Sequence, residues 1–490
     1  MSRTVRVSLL VDALERAGLL VEQRGALPER VTGITDDSRA VVRGGAFVAV
    51  RGTQYDGHAF LGAAVAAGAA LAVVEDADAT ALPSLVVRDG RRAAALVAAA
   101  FYAEPATYLR LVGVTGTNGK TTTVGMLRHL LDEPGTRAAS VGTLGVLVGS
   151  AGQALPGGAG LTTPGPIELQ RALRALVDDG VRAVALEASS HALDQGRLDG
   201  LHFAAAVFTN LTRDHLDYHG TMDAYFAAKA RLVGALAPDG VAVWNADDDA
   251  WPALPMAPRA LRFGVTSADA DVRAEGVTYH PRGSRWTLVH GDDQAIVQLP
   301  LIGDFNVANA LGAAAAAIGV GMDVATVAAR LSTLPQVPGR LEILSEHPTV
   351  LRDYAHTPDA LERALRALRP FTPGRLIVLF GCGGDRDTGK RPMMAEVAHR
   401  LADLVVVTSD NPRTEDPERI LDDICAALPS GGYERIEDRR TAITTAIAMA
   451  DPRLDVVLLA GKGHETYQIR GTTSFPFDEA AIVRELLGAG

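Results

Sequence analysis

Residues 109–122 read LRLVGVTGTNGKTT, an apolar strand pattern followed by a glycine-rich turn and the start of a helix. In this arrangement backbone N–H groups and the helix N-terminus face phosphate oxygens, Lys120 reaches the terminal phosphates and Thr121 offers a hydroxyl to Mg²⁺. The glycines stand at positions 113, 116 and 119, so the strict GxxxxGK[ST] spacing is not met. A glycine-rich turn with a chance lysine is the alternative.

Strand patterns alternate with helical patterns on both sides of this stretch, which predicts an α/β fold. A length of 490 residues predicts about three domains. We place the boundaries at FYAEPATYLR (101–110) and LPQVPGRLE (334–342). The glycine-rich tract 145–160 is expected to form a hairpin or loop insertion, and 270–300 an antiparallel addition. The predicted domains are a small N-terminal α/β domain (1–108), a central P-loop ATPase-type domain with a mostly parallel sheet (109–338) and a C-terminal Rossmann-like domain (339–490).

Composition excludes several classes of protein. A net charge of -11 argues against a nucleic-acid or anionic-membrane surface. The two cysteines, Cys382 and Cys425, lack metal-ligand spacing, which indicates a reducing compartment without structural zinc. The N-terminus lacks the apolar core of a signal peptide, and no uncharged apolar stretch reaches about 18 residues. We expect a cytoplasmic protein with no membrane insertion and no nucleic-acid partner.

Two further polar motifs follow predicted strands of the central domain. Glu187 ends a strand in ALEASSH (185–191), where ligands bind in open α/β sheets, and is a candidate ligand for Mg²⁺. A carboxylate that caps the next helix is the alternative. His215, in NLTRDHLDYHG (210–220), is a candidate ligand for a second metal ion or a histidine satisfied by hydrogen bonds. From the residues alone, Lys229 is expected to be a surface lysine.

Three loops of the C-terminal domain should emerge at one sheet edge. They bring together Arg386, Arg413, Asp410, Asn411 and Glu465. Arginines suit a carboxylate and acids suit an ammonium group, so the set predicts a site for a zwitterion. A structural cluster of ion pairs is the alternative.

Together these motifs resemble those of the Mur ligases, ATP-dependent enzymes of peptidoglycan biosynthesis. Within that family they are similar to the UDP-N-acetylmuramoyl-tripeptide synthetases, and the match runs over nearly the whole chain. The motifs are GTNGKTT (116–122), EASSHALDQGRLDG (187–200), NLTRDHLDYHG (210–220), GDFNVANALGA (303–313), DYAHTPDAL (353–361), GCGGDRDTGKRP (381–392), SDNPRTEDP (409–417) and GKGHETYQ (461–468).

The resemblance implies a reaction with two partners. ATP would phosphorylate the D-Glu γ-carboxylate of UDP-N-acetylmuramoyl-L-alanyl-D-glutamate, and an amino-acid amine would attack the acyl phosphate. In the family the DNPR loop accompanies meso-diaminopimelate, whereas lysine-adding members differ there. A monomer is expected. The alternatives are an L-lysine-adding ligase, a folylpolyglutamate synthetase-like ligase, a P-loop ATPase switch and a non-catalytic scaffold. The N-terminal domain and the DNPR loop argue against the folylpolyglutamate synthetase-like ligase.

The resemblance also implies site residues. Lys120, Glu187, His215 and Lys229 would be catalytic; Thr121, Glu187, His215 and Lys229, the last as a carbamate, would hold Mg²⁺. Uridine contacts are expected near Asp36 and 53–55. ATP would be bound by Gly116, Thr117, Asn118, Gly119, Lys120, Thr121, Thr122, Asn306, Arg340, Asp353 and His356; the UDP substrate by Ser38, Thr162, Thr163, Ser189, Gln195 and Arg197; and diaminopimelate by Arg386, Asp410, Asn411, Pro412, Arg413, Gly461 and Glu465.

Overall fold

The structure is a computed structural model that describes residues 3–52, 55–155, 160–429 and 431–488. No helix in these ranges has the length and apolarity that crossing a membrane requires. The chain divides into two compact units. The first contains Met1–Arg273, Leu288–Ala295 and Ala308–Arg330, and the second contains Ala274–Thr287, Ile296–Val307 and Leu331–Gly490.

The N-terminal part of the first unit is a small α/β layer. Its main sheet has the strand order β2-β7-β6-β5-β4, parallel except for β2, while β1 and β3 form a separate antiparallel pair. The elements are β1 (Val5–Arg6), α1 (Val7–Arg16), β2 (Leu20–Arg24), β3 (Arg30–Val31), β4 (Ile34–Thr35), β5 (Ala46–Val48), α2 (Leu61–Ala66), β6 (Leu71–Val74), β7 (Ser84–Val87) and α3 (Gly90–Phe101).

The alanine-rich stretch 59–70, predicted as one helix, is shorter in the structure. Asp56 accepts a hydrogen bond from the backbone N–H of His58 and caps a 3-10 turn at Gly57–Phe60. Helix α2 follows and ends before Gly68, whose φ of +92° cannot continue a helix. Local capping and a left-handed glycine therefore limit a segment that alanine content alone would extend.

The central part of the chain is built on a long, mostly parallel sheet. The strand order is β11-β10-β9-β12-β8-β13-β14-β15-β16-β17-β18, so the strands before the phosphate loop (β8), Glu187 (β12) and residues 209–215 (β13) are neighbours. The elements are β8 (Arg110–Thr115), α4 (Lys120–Leu131), β9 (Arg137–Gly142), β10 (Gly145–Val148), β11 (Gln153–Leu155), α5 (Pro166–Asp178), β12 (Val181–Glu187), α6 (Ser190–Asp194), β13 (Phe203–Phe208), α7 (Leu216–His219), α8 (Met222–Gly234), β14 (Leu236–Asn245), β15 (Arg259–Gly264), β16 (Val272–His280), β17 (Gly283–His290) and β18 (Asp293–Leu299).

The two irregular segments of this sheet agree only partly with the sequence. The hairpin predicted at 145–160 is confirmed for 145–155, and 156–159 lie outside the described residues. The antiparallel prediction for 270–300 is wrong at its first strand, because β16 joins β15 in parallel. After β15 the chain turns back at 265–267, where three backbone N–H groups donate to Asp247. It then re-enters the sheet as β16, in the same direction as β15. The two-residue connection between β16 and β17 requires an antiparallel hairpin.

The second unit contains a six-stranded sheet in the order β19-β20-β24-β21-β22-β23, parallel except for the pair β19–β20. Helices begin where Thr357, Asp416, Asp438 and Asp478 accept a backbone N–H as N-caps. From residue 304 onward the elements are α9 (Asp304–Gly319), α10 (Val324–Leu331), β19 (Glu342–Glu346), β20 (Thr349–Asp353), α11 (Pro358–Leu368), β21 (Leu376–Phe380), α12 (Lys390–Leu401), β22 (Leu404–Val407), α13 (Pro417–Cys425), β23 (Tyr433–Arg435), α14 (Arg439–Met449), β24 (Val456–Ala460), β25 (Tyr467–Arg470), β26 (Thr473–Pro476) and α15 (Glu479–Leu487).

Helices cover both faces of this sheet. Successive residues of a strand point to opposite faces, and here both faces are buried in apolar cores, which explains the continuous apolar runs. One core contains Leu351, Val378 and Leu458, and the other contains Val350, Ile377 and Val457. The predicted α/β class, with a mostly parallel central sheet and a Rossmann-like C-terminal part, is confirmed. The three domain boundaries stay a prediction.

Candidate active site

The glycine-rich loop between β8 and α4 is a closely packed turn. Gly116 has a φ of +148°, and a Cβ there would stand 1.9 Å from the Thr209 hydroxyl oxygen. Gly119 has a φ of +84° and precedes Lys120, the first residue of α4. Both positions therefore require glycine, and the backbone of the loop is shaped as a phosphate-binding turn needs.

The segment after β13 fixes the conformation of this loop. Asn210 accepts the backbone N–H of Thr117 on its carbonyl at 2.8 Å and that of Asn118 on its side-chain oxygen at 3.0 Å. The Thr209 hydroxyl donates to the Asn118 carbonyl at 2.7 Å, and the Thr117 hydroxyl donates to the Thr212 carbonyl at 3.0 Å. The loop is thus preorganised by residues that the sequence indicated only as a polar cluster.

Two lysines share one carbonyl of the loop. Lys120 Nζ donates to the carbonyls of Gly116 and Thr117 at 2.9 and 2.8 Å, and Lys229 Nζ donates to the Gly116 carbonyl at 2.7 Å. The ring of Tyr225 lies 4.3 Å from Lys229 Nζ. Burial lowers the pKa of Lys229 well below its usual range, and the charge of Lys120 adds to the effect.

The expectation from the residues alone that Lys229 lies on the surface is wrong, because its side chain is only 1% exposed. Helix α8 packs against α6, β8 and β14. The alanines on either side of Lys229 let this helix approach closely, and the lysine points inward at the turn after β8. The structure therefore places Lys229 beside Lys120.

Glu187 is buried at the end of β12. Its carboxylate accepts hydrogen bonds from the backbone N–H of Thr143 at 2.8 Å and from the Thr143 hydroxyl at 3.1 Å. A Cβ on Gly142 would stand 2.3 Å from Glu187 Oε1, so that glycine makes room for the carboxylate. The helix-capping alternative is wrong, because Ser189 caps α6. The Thr143 hydroxyl oxygen in turn accepts from the Thr162 hydroxyl at 3.4 Å.

Aromatic side chains surround His215. Its φ is +53°, and its ring lies 4.8 Å from the ring of His191, which also contacts Tyr218 and His219. Burial lowers the pKa of His215. Burial, followed by the neighbouring His215 and His219, lowers the pKa of His191 to about 4. These rings are therefore neutral near pH 7, the state in which imidazole ligates a metal ion.

A hydrogen-bonded group extends from Glu187 along α6. The Thr163 hydroxyl donates to the Glu187 carbonyl at 2.6 Å and accepts the Ser189 N–H at 3.1 Å. The guanidinium of Arg197 donates to the Thr163 carbonyl at 2.9 Å and through two nitrogens, at 3.1 and 2.7 Å, to Gln195 Oε1. Four of the six residues assigned to the UDP substrate therefore belong to one hydrogen-bonded group. Thr162 contacts this group through Thr143, which bonds to Glu187.

The predicted uridine contacts lie in the N-terminal part. Ser38 begins a 3-10 turn at Ser38–Ala40, directly after β4, and Asp37 caps that turn through the Arg39 N–H. Asp36 precedes it, and Tyr55 is exposed. Residues 53 and 54 of the predicted contact lie outside the described residues.

In the second unit, three loops follow the adjacent strands β24, β21 and β22, and their polar side chains meet. Asn411 Nδ2 donates to Glu465 Oε2 at 2.9 Å, and Lys462 Nζ donates to Asn411 Oδ1 at 3.1 Å. A Cβ on Gly461, whose φ is +112°, would stand 2.7 Å from Asp410 Oδ2. The predicted convergence of Asp410, Asn411 and Glu465 at one sheet edge is therefore observed.

Two arginines stand at the side of this cluster. Arg413 has a φ of +53°, its N–H donates to the Ile469 carbonyl at 3.1 Å, and its Nη1 donates to the Gly384 carbonyl at 2.8 Å. A Cβ on Gly383 would stand 2.8 Å from Arg413 Nη1 and 3.8 Å from Arg386 Cγ. The Arg413 guanidinium and the aliphatic stem of Arg386 therefore lie beside the glycine turn, and Arg386 is exposed. Pro412 is buried, with its carbonyl against Gly384.

A buried ion pair supports these loops from behind. Arg439 Nε donates to Glu479 Oε1 at 2.8 Å, and both side chains are fully buried. The same guanidinium donates to the carbonyls of Ser409 at 3.2 Å and Ala460 at 2.9 Å, the residues that precede Asp410 and Gly461. Arg439 thus ties α14 and α15 to two of the three loops.

The C-terminal residues assigned to ATP lie mostly around Tyr354. The guanidinium of Arg340 lies 4.8 Å from the centre of its ring, and His356 Nδ1 is 2.9 Å from its carbonyl oxygen. Asp353 accepts the Leu341 N–H at 2.7 Å, and burial raises the pKa of this carboxyl. Asn306, on α9, donates to the Ile302 carbonyl at 2.7 Å.

Sequence reasoning missed several side chains of these sites. Thr143 donates two hydrogen bonds to Glu187, but it follows the end of β9 in a stretch of sequence that has no recognisable motif. Tyr225 stands four residues before Lys229 on the same helix face, which was a usable signal. Lys462 lies between two glycines of a motif that we recognised without assigning the lysine a role. Among the described residues, no group of three or more His, Cys, Asp and Glu side chains is arranged to hold a metal ion.

Comparison with known proteins identifies the family. The model of the "Mur ligase family, catalytic domain" matches residues 30–104, that of the "Mur ligase middle domain" matches 114–317, and that of the "Mur ligase, glutamate ligase domain" matches 339–463. The UDP-N-acetylmuramoyl-L-alanyl-D-glutamate–2,6-diaminopimelate ligase of Synechococcus elongatus is 47% identical over 95% of this chain and 96% of its own.

Solved structures agree. A UDP-N-acetylmuramoyl-L-alanyl-D-glutamate–2,6-diaminopimelate ligase superposes with a TM-score of 0.66 at 36% identity, covering 96% of this chain and 97% of that chain. Folylpolyglutamate synthase of Mycobacterium tuberculosis complexed with ADP has a TM-score of 0.65 at 20% identity, covering 82% of this chain and 95% of that chain, and so shares the fold. From the matched segments and the identity to curated relatives, the chain belongs to the Mur ligase family.

Proposed function

We propose that the chain is the ATP-dependent ligase that adds meso-diaminopimelate to the D-Glu γ-carboxylate of UDP-N-acetylmuramoyl-L-alanyl-D-glutamate in peptidoglycan biosynthesis. The observation that carries the proposal is the cluster of Asp410, Asn411 and Glu465 beside Arg413, in a chain that also holds a complete phosphate loop. The names of the relatives support the same substrates.

The reaction has two steps. A γ-carboxylate oxygen attacks the terminal phosphorus of ATP, the bond to ADP breaks, and an acyl phosphate forms. The amine of diaminopimelate then attacks the acyl carbon, phosphate leaves, and the nitrogen loses a proton. Charge develops on phosphoryl oxygens in the first step, so catalysis rests on positioning and on electrostatic stabilisation by Lys120 and the positive N-terminal end of α4. Asn306, Arg340, Asp353 and His356 are proposed further nucleotide contacts.

Lys229 is proposed to act as a carbamate. A buried amine with a lowered pKa is neutral, and a neutral amine adds to CO₂ with formation of an N–C bond and release of one proton. The product is anionic and offers oxygen ligands. Mg²⁺, when bound, would neutralise phosphate charge. The Thr121 hydroxyl, the Glu187 carboxylate and this carbamate are oxygen donors that suit it, and His215 is proposed as a further ligand.

Carbamate formation predicts a spectroscopic signal. With ¹³C-bicarbonate, carbon NMR of the unmodified protein should show one slowly exchanging carbamate resonance, and Lys229→Arg should lack it, because an arginine cannot add CO₂. Arg110→Ala, at the exposed start of β8, is the control and should keep the resonance. A resonance that survives in Lys229→Arg would contradict the proposal.

The UDP substrate is proposed to lie along Ser38, Thr162, Thr163, Ser189, Gln195 and Arg197. Arg197 is central, because its guanidinium orders both Thr163 and Gln195. Arg197→Lys removes the forked donor and should raise the KM for the UDP substrate about tenfold with little change in the KM for ATP. Arg171→Lys, on the exposed face of α5, is the matched control. Equal KM values in the two variants would refute the role of Arg197.

Diaminopimelate suits the C-terminal cluster better than lysine does. Arg413 and Arg386 match the carboxylate at its distal end, and Asp410 and Glu465 match the ammonium group beside it. Pro412 and Gly461 shape the backbone around them. Lysine lacks the second carboxylate, so it would lose the hydrogen bonds from the guanidinium groups to that carboxylate and bind more weakly.

The remaining proposals concern organisation. We propose three domains. Residues 1–108 would bind mainly the UDP substrate, residues 109–338 mainly ATP, and residues 339–490 mainly the amino acid. A cytoplasmic monomer without a nucleic-acid partner is proposed, in keeping with the negative net charge.

Release of phosphate from ATP tests the proposed function. Phosphate should appear at full rate only with ATP, Mg²⁺, the UDP-muramoyl-dipeptide and diaminopimelate together. L-lysine in place of diaminopimelate should lower kcat/KM at least about a hundredfold, because the site would lose the charge-assisted hydrogen bonds between its arginines and the second carboxylate. Full-rate hydrolysis with neither reactant would indicate an ATPase switch instead, and an equal rate with lysine would indicate the lysine-adding branch.

A further inference from the structure

Lys462 is a fully buried lysine in the middle of the C-terminal cluster. Its side chain has 0% exposure, and its Nζ donates to Asn411 Oδ1 at 3.1 Å and to Glu465 Oε2 at 3.3 Å. Asp410 Oδ1 lies 3.8 Å from the same nitrogen. One ammonium group thus contacts three residues to which the proposed function assigns the amino acid.

These contacts fix the orientation of the Asn411 amide. Its Oδ1 accepts from Lys462 and from the backbone N–H of Ile469 at 2.9 Å, while its Nδ2 donates to Glu465 at 2.9 Å. If the amide were reversed, an NH₂ group would face two donors and an oxygen would face a carboxylate. Lys462 therefore helps to select one of the two amide orientations.

The same nitrogen also orients Glu465. Oε2 accepts hydrogen bonds from both Lys462 and Asn411, so this oxygen is occupied within the cluster. A carboxylate has two oxygens with several acceptor sites. With Oε2 held in this way, Glu465 Oε1 is the oxygen assigned to accept from a ligand's ammonium group.

Charge balance gives the lysine a second role. Asp410 and Glu465 are two carboxylates beside one buried cation, and Arg413 adds a positive charge at the edge of the cluster. The centres of the Tyr467 and Phe477 rings lie 5.9 and 6.0 Å from Lys462 Nζ, so aromatic side chains adjoin the buried ammonium group. In such a low-dielectric setting two carboxylates without a cation would repel each other strongly.

We propose that Lys462 is a positioning residue of the amino-acid site: it does not touch the amino acid, but holds Asn411 and Glu465 in the orientation that binds the ammonium group beside the distal carboxylate. The proposal rests on the proposed function for the identity of the amino acid. It assigns specificity to a side chain that lies behind the surface contacting the ligand.

Steady-state kinetics of Lys462→Met, a variant of similar length without charge, tests this role. The KM for the amino acid should rise at least tenfold, with the KM values for ATP and the UDP substrate within twofold of the unmodified protein. Arg453→Met, an exposed change of the same charge in the same unit, is the control and should leave all three KM values unchanged. The comparison uses whichever amino acid the unmodified chain ligates, so a failure of the diaminopimelate assignment is a separate result.

A double-mutant comparison separates positioning from a general packing role. If Lys462 acts through Glu465, then in a Glu465→Gln background Lys462→Met should raise the amino-acid KM less than threefold further. Lys462→Arg, which keeps the charge, should recover part of the lost affinity. An amino-acid KM within twofold of normal in Lys462→Met would overturn the proposal, as would a uniform loss in all kinetic parameters that follows a fall in Tm.

Discussion

Replacement of Lys120 by alanine is expected to lower kcat by about 10²- to 10³-fold or more, the size of effect seen when one preorganised charge-stabilising donor is removed. In the structure Lys120 Nζ lies against the carbonyls of Gly116 and Thr117, at the turn where phosphate oxygens would bind. Without the ammonium group, the charge that develops on the transferred phosphoryl group loses its nearest cation.

The measurement is the rate of phosphate release with all reactants present, together with Tm. Lys120 begins α4, and the hydrogen bonds of its Nζ to the carbonyls of Gly116 and Thr117 stay within the loop, so Tm should change little. Arg110→Ala, an exposed change at the other end of β8, is the control and should keep normal turnover. Near-normal turnover in Lys120→Ala would contradict the role assigned to the loop.

Replacement of Arg439 by methionine is expected to lower the free energy of unfolding of the second unit by about 3–5 kcal/mol. The change leaves Glu479 fully buried without its cation, and it frees the carbonyls of Ser409 and Ala460. Urea unfolding should therefore begin at lower denaturant, and the KM for the amino acid should rise, because Asp410 and Gly461 follow directly after those carbonyls.

A neighbouring ion pair supplies the matched control. Arg440 pairs with Glu485 on the surface, with both side chains about half exposed. Arg440→Met should cost no more than about 1 kcal/mol, as exposed pairs contribute little. In addition, Arg439→Met combined with Glu479→Met should be less damaging than Arg439→Met alone. Equal losses in Arg439→Met and Arg440→Met would show that the buried pair does not carry the stability assigned to it.

Much of the architecture was predictable because the decisive signals are local. In LRLVGVTGTNGKTT the strand, turn and helix are contiguous, so one window of sequence predicts both the fold and the phosphate loop. The rule that ligands bind at the carboxyl ends of the strands in an open α/β sheet also predicted that Glu187 lies at that edge of the same sheet. The order β12-β8-β13 bears this out. The family assignment made from the motifs is confirmed by the comparisons.

The environment of single side chains could not be predicted in the same way. The burial of Lys229 depends on which face α8 presents to the sheet. Because alanines lie on both sides of the lysine in the sequence, the pattern of residues does not show which face that is. The contact between Thr143 and Glu187 joins the ends of two strands about forty residues apart. The parallel entry of β16 depends on a turn held by Asp247. Each of these features arises from tertiary packing, which periodicity and motif spacing do not encode.

The central claim is that ATP activates the substrate carboxylate as an acyl phosphate. Transfer of ¹⁸O tests it most directly, with the D-Glu γ-carboxylate of the UDP-muramoyl-dipeptide labelled on both oxygens and the released phosphate analysed by mass spectrometry. Acyl-phosphate formation predicts one ¹⁸O atom in each phosphate released during ligation with diaminopimelate. Phosphate that carries no label while tripeptide product forms would contradict the account.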